Sequence, residues 1–242
     1  MKGGLALILT SEHGGNTVPQ EHRAHFATKE AKALLDTHRG FDPGSLEIAR
    51  ALERRFDVPL VASTVTRLLV DLNRSLASKE LFSEYTNNLG EPDKHAIIEG
   101  FWRPHRDRVE RAIEIAMGET GAVLHIAVHS FTPVLDGVER DIDVALLYDP
   151  KREREKDFSN RWIKALEGIR DDVRVGRNRP YRGVSDGLTS HLRKVHGPER
   201  YVGIELEVNQ RFPKGGRGAW RRLIDDLGDS LATACGRRPN PA

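Results

Sequence analysis

"LALILTSEHGGNTVP", residues 5–19, places the apolar run Leu5 to Leu9 directly before Ser11, Glu12, His13 and the pair Gly14-Gly15. So short an apolar run, bounded by turn formers, predicts a central strand rather than a helix. Side chains at the end of such a strand emerge at the rim of the sheet, where open α/β folds keep their ligand sites. Glu12 and His13 are thereby delivered to a glycine turn at a rim.

The remainder alternates helix-like and strand-like segments. Residues 28–38 and 43–55 have helical spacing, the second led by Asp42-Pro43, an acid to cap orphan amides and a proline for the first helical position. Residues 59–63 and 66–71, rich in Val, Leu and Thr, predict short strands, the latter running into Asp71-Leu72-Asn73-Arg74. A polar helical region extends from about residue 79 to 117, with a break at Gly90 to Pro92. "AVLHIAVHSFTP" (122–133) and "DIDVALLYD" (141–149) predict further strands. A helix over 154–169, a strand near 172–176, a loop "GRNRPYRGVSDG" (176–187), a helix over 188–195, the strand "YVGIELEV" (201–208) and a helix over 218–234 complete the order. That succession predicts a three-layer α/β/α domain over residues 1–242 with a mixed, mostly parallel central sheet.

Composition narrows the partners. Lysine and arginine total 38 against 36 acids, a net charge of +2, so the balance points to neither nucleic acid nor a membrane surface. The arginine-rich stretches Arg103–Arg111 and Arg193–Arg200 alternate with acids and lack an aromatic stacking platform. No apolar run reaches transmembrane length, and Leu5–Leu9 is too short for a leader and lacks a cleavage site. The sole cysteine, Cys235, reads as a small buried apolar residue and fits a reducing cytoplasm.

Ten histidines are present, most in polar helical segments that read as surface. His13 and His129 differ: each closes an apolar strand and precedes a small or polar turn. Two imidazoles at neighbouring strand ends start a metal site. Zinc is the usual ion for neutral imidazole plus carboxylate, with manganese and iron as alternatives. His125 shares a strand face with His129 but lies about 13 Å from it by strand rise, too far for one ion, so it reads as a core or supporting residue. Asp42, Glu12 and Asn16 are candidates for a third ligand, and Asp42 is preferred because a carboxylate serves such an ion better than a neutral amide. Glu205 and Glu207 lie on one face of an otherwise apolar strand, where burial is costly unless a cation or proton answers them. A carboxylate beside an ion-polarised water can act as general base. Asn73 and Arg74 pair an amide with a guanidinium fork, suited to a substrate carboxylate. The loop bearing Arg179, Tyr181, Arg182 and Ser185 could close over a ligand.

The segments "SEHGGNTVP", "HRGFDPGS", "TRLLVDLNRS", "IAVHSFTP", "NRPYRG" and "GIELEVNQ" occur in that order between residues 11 and 210. Together they resemble the N-formylglutamate amidohydrolase family, which is similar in fold to the zinc-dependent carboxypeptidases and acylamino-acid deacylases. The resemblance implies a zinc-exopeptidase-like fold and one Zn2+ held by His13 and His129; it leaves the third ligand open among Asp42, Glu12 and Asn16, with Asp42 expected from the chemistry above. It further implies Asn73 and Arg74 as carboxylate binders, Glu205 as general base, and N-formyl-L-glutamate as substrate, cleaved to formate and glutamate. Arg67, Arg179, Arg182 and Tyr181 are the candidates for the rest of the substrate. A deacylase or carboxypeptidase acting on another acyl amino acid or peptide, and a non-catalytic amino-acid binder, are the competing expectations.

Overall fold

The opening apolar run forms β1 (Ala6–Ser11) in a computed structural model that describes residues 5–236. It lies inside a six-stranded sheet with β2 (Leu60–Ala62), β3 (Val123–Phe131), β6 (Val144–Leu147), β7 (Val175–Arg177) and β8 (Tyr201–Asn209). Two short strands, β4 (Val134–Leu135) and β5 (Val138–Glu139), form a separate hairpin. The sheet order is β2-β1-β3-β8-β6-β7. Neighbours are parallel except β6 against β8. β3 and β8 are central and buried along their whole length, as continuous apolar strands covered on both faces must be.

Helices α1 (Lys29–Leu35), α2 (Ser45–Phe56), α3 (Glu91–Ile97), α4 (Arg103–Thr120), α5 (Glu153–Ile169), α6 (Leu188–Val195), α7 (Arg211–Lys214) and α8 (Arg217–Ala234) complete the chain. α2, α5 and α8 cover one sheet face, where Leu9, Ile126, Val128, Ile204 and Leu206 join Ile48, Trp162 and Leu227 in the largest apolar cluster. α4 and α6 cover the other, packing Val109, Ile113, Leu188 and Leu192 against Ile8, Val123 and Tyr201. The expected three-layer α/β/α architecture with a mixed, mostly parallel sheet is the one observed. No helix among the described residues is long and apolar enough to cross a membrane.

Four expectations are corrected. Residues 66–71 form no strand; they turn, with the Leu69 amide bonded to the Thr66 carbonyl, and bury Leu68, Leu69 and Val70 in a third apolar cluster. Leucine and valine in a short run mark burial, and burial alone does not distinguish a strand from a packed turn. The polar helical region begins only at Glu91, since residues 79–90 are turns and bends. α2 starts at Ser45 rather than at Pro43, preceded by Gly44 at φ 87°, where a Cβ would meet the Trp220 ring at 2.9 Å. Asp42 is thereby released from capping. Cys235 is only half-buried, against the largest cluster.

Candidate metal centre

β1 continues two residues beyond the apolar run, so Glu12 and His13 follow its last residue, Ser11, at the rim. Gly14 then passes close to β2; a Cβ there would meet the Ser63 carbonyl oxygen at 2.8 Å. The Asp42 amide donates to the His13 carbonyl at 2.9 Å, which fastens the segment before α2 to the end of β1. Next door, β3 carries His129 on the face it shares with Ala127, whose register partners are Thr10 and Glu205.

These three segments bring His13, Asp42 and His129 together, with one ligand atom from each lying within 4.8 Å of the others, all buried. Nδ1 of His129 lies 3.1 Å and Nδ1 of His13 3.4 Å from Oδ2 of Asp42. The opposite ring nitrogens are backed by carboxylates: Nε2 of His13 by Asp71 Oδ1 at 2.7 Å, and Nε2 of His129 by Glu12 Oε2 at 3.2 Å. Arg67 spans the acids, donating to Asp71 Oδ2 at 2.7 Å and lying 3.4 Å from Asp42 Oδ1.

The arrangement fits a divalent cation. Nδ1 of His13 is buried with no hydrogen-bond partner among the described residues, although it faces a carboxylate. Metal-ligating histidines characteristically give their second nitrogen to a carboxylate, which fixes ring orientation, and both rings here have one in place. Two imidazoles and a carboxylate form a set used by catalytic zinc sites, with room for water and substrate. The triad can therefore hold a metal.

Electrostatics agree with such a site. Burial opposes the charge on Asp42, but His13, His129 and Arg67 outweigh it and hold the carboxyl well below its usual range. Asp71 is likewise lowered against the cost of burial, chiefly by Arg67 and His13. Burial also opposes the charge on His129, yet its hydrogen bond to Asp42 and its ion-pair contact with Glu12 hold it well above an ordinary histidine. A cation at the triad would have to displace that proton.

The cluster forms the floor of a cavity of about 190 Å³. Glu205, Asn73, Arg74, Arg67 and Tyr181 also line it, together with Glu207, Arg182 and Ser185. Glu205 accepts a hydrogen bond from the Thr189 hydroxyl on α6. Glu207, level with His129 across β3 and β8, has a buried Oε2 without a hydrogen-bond partner among the described residues, and burial raises its carboxyl to about 8. Asn73 accepts from the Leu188 amide at 2.7 Å. Arg74 donates to the Asp186 carbonyl at 2.7 Å and pairs with Glu80, while its buried Nε has no hydrogen-bond partner among the described residues. Arg179 lies elsewhere: it is 70% exposed, 3.8 Å from Asp141, beside a separate depression under the β4–β5 hairpin. Asn16 is also outside, bonded to Asp36.

Sequence reading passed over several participants. Asp71, which the sequence places only at the end of an expected strand, backs His13. His105, grouped with the surface histidines, is 1% exposed, with Nε2 3.4 Å from Glu12 Oε1. Its apolar neighbours at helical spacing, Trp102 and Val109, were the available signal. His125 is a core residue, as its spacing suggested, bridging Thr10 at 2.9 Å and the Tyr201 hydroxyl at 2.7 Å.

A family model described as N-formylglutamate amidohydrolase matches residues 5–212. No curated protein matches the chain. Among solved structures, a gene product from Agrobacterium tumefaciens is 25% identical with a TM-score of 0.80, covering 97% of this chain and 91% of that one. An N-formylglutamate amidohydrolase from Ralstonia eutropha JMP134 is 19% identical with a TM-score of 0.70, covering 96% and 93% respectively, and shows the same fold.

Proposed function

Because the chain belongs to the N-formylglutamate amidohydrolase family, we propose that it is a zinc-dependent hydrolase cleaving the amide of a small N-acyl amino acid, foremost N-formyl-L-glutamate, to formate and glutamate. The observation that carries this reading is the buried His13/Asp42/His129 cluster at the floor of a polar cavity that also holds Glu205.

His13, Asp42 and His129 would hold the ion. When bound, zinc supplies Lewis acidity to an attacking water and to the scissile carbonyl. Glu205, oriented by Thr189, accepts the water proton and returns it to the leaving nitrogen as the carbon–nitrogen bond breaks. Asn73, whose carbonyl oxygen is occupied by Leu188, presents its amide nitrogen to the substrate α-carboxylate. Arg74, anchored by Asp186 and Glu80, adds its unpartnered Nε as a charged donor to the same group. Arg67 is engaged by Asp71 and Asp42, so its part in binding is to keep the wall cationic and rigid. Tyr181 and Arg182 face the remainder of the substrate from the loop. We place the reaction in the cytoplasm, in keeping with the lone cysteine.

The test is formate release from N-formyl-L-glutamate by zinc-loaded protein, run beside a panel of N-acetyl and longer N-acyl amino acids and short peptides. Turnover greatest with the formyl dicarboxylate supports the reading. Turnover confined to other acyl groups or peptides would reassign the substrate, and tight binding without turnover of any would contradict catalysis.

A further inference from the structure

Position 127, two residues before His129 and on the same face of β3, is alanine and offers His129 no support along its own strand. The imidazole nevertheless has a carboxylate at its far nitrogen, and it comes from the neighbouring strand. Glu12 is fully buried at the end of β1, with Oε2 3.2 Å from His129 Nε2. Its other oxygen lies 3.4 Å from Nε2 of His105, itself buried in α4. Glu12 Oε2 and His129 Nε2 are both buried without a hydrogen-bond partner among the described residues, so their 3.2 Å ion-pair contact is what the structure sets against the burial of each. Burying a carboxylate this deeply is costly without a specific answering group, and an apolar residue at the end of β1 would pack at lower cost.

We propose that Glu12 is a positioning residue for the metal centre: held from behind by His105, it fixes the His129 ring so that Nδ1 faces Asp42 and the ion. The inference rests on the reading of the His13/Asp42/His129 cluster as a metal site. Adjacent residues then have separate duties, His13 binding and Glu12 orienting the ligand on the next strand. The two imidazoles become equivalent in design, each with Nδ1 on the ion side and Nε2 on a carboxylate, Asp71 for one and Glu12 for the other.

The test is zinc affinity, measured by chelator competition on wild type, Glu12→Gln and His105→Asn, with the thermal midpoint of each metal-free protein recorded alongside. Losing such a supporting carboxylate costs about 10- to 100-fold in metal affinity. Glu12→Gln should show that loss with a metal-free midpoint close to wild type, and His105→Asn a smaller loss in the same direction. Wild-type affinity in Glu12→Gln would overturn the proposal while leaving the metal site intact. Should metal-free Glu12→Gln fail to fold, His105→Asn decides: weakened zinc binding supports the relay, and unchanged binding overturns it. Absence of zinc binding by wild type would remove the metal reading and this proposal together.

Discussion

β3 and β8 present two faces built on the same backbone with opposite contents. Toward α2, α5 and α8 their side chains are Leu124, Ile126, Val128, Val202, Ile204, Leu206 and Val208, all in one apolar cluster. Toward α4 and α6 the alternate positions begin with the apolar Val123 and Tyr201 and then hold His125, His129, Glu205 and Glu207, every one buried. The first face is what a sheet needs in order to fold, since each buried aliphatic side chain is worth about 1.5–3 kcal/mol. The second is a liability for folding, because buried ionisable groups must be answered by specific partners. The buried acids and histidines of these two strands therefore all fall on odd positions, and the even positions named above serve packing alone.

If that division is real, substitutions on the two faces have different readouts. Glu205→Gln should lower kcat by about 10²- to 10⁴-fold, the usual worth of a general base, with zinc content preserved. Near-normal turnover in that variant would remove Glu205 from the mechanism. On the opposite face of the adjacent position, Leu206→Ala should cost about 2–5 kcal/mol in denaturant unfolding while kcat/KM per folded molecule stays near wild type. An activity defect as large as the stability defect would break the comparison.

Two groups on the polar face sharpen it through pH, with opposite signs. Burial lowers His125 to about 4 from its ordinary 6.5, so the unfolded chain binds the extra proton between those values. Its contribution is present above about pH 6.5 and is lost as pH falls toward 4, a change of about 3 kcal/mol. Burial raises Glu207 from 4.5 to about 8, so the folded state binds the extra proton. Its stability is present below pH 4.5 and is lost progressively as pH rises toward 8, about 3 kcal/mol of it by pH 7. In metal-free protein, His125→Asn should flatten the acid limb of the stability curve and Glu207→Gln the neutral limb, raising the midpoint at pH 7 in the latter. Unchanged slopes would mean that these groups are not buried as described. The smallest effect belongs to Arg179→Ala: an exposed arginine outside the cavity should change kcat/KM by less than about twofold. A larger loss would bring that arginine back to the substrate.

The legibility of the sequence follows the same division. β1, β3 and β8 were readable because continuous apolar runs belong to buried strands, and His13, His129 and Glu205 stood out as polar residues interrupting or ending them. Asp42 was visible as an acid before a proline, although the expected helix cap is instead a member of the cluster. What stayed hidden depended on contacts between distant segments. Nothing local says that Asp71 reaches back to His13 from a turn, or that Glu12 supports a histidine on the next strand. His105 was obscured by charged neighbours on α4, because its burial comes from the helix face it occupies rather than from its immediate sequence. The turn at residues 66–70 misled for the converse reason: its composition reports burial, and its backbone is set by a Thr66 hydroxyl bound to the Gly40 carbonyl.

The central claim, that the polar face exists to hold an ion, is tested most directly by elemental analysis of protein purified without a metal-affinity tag, wild type beside His13→Ala and His129→Ala. The account predicts about one zinc per wild-type chain and loss of the metal in both variants, as expected for a site of three protein ligands. Wild-type protein that cannot be loaded with zinc, or zinc retained in full by both variants, would contradict it.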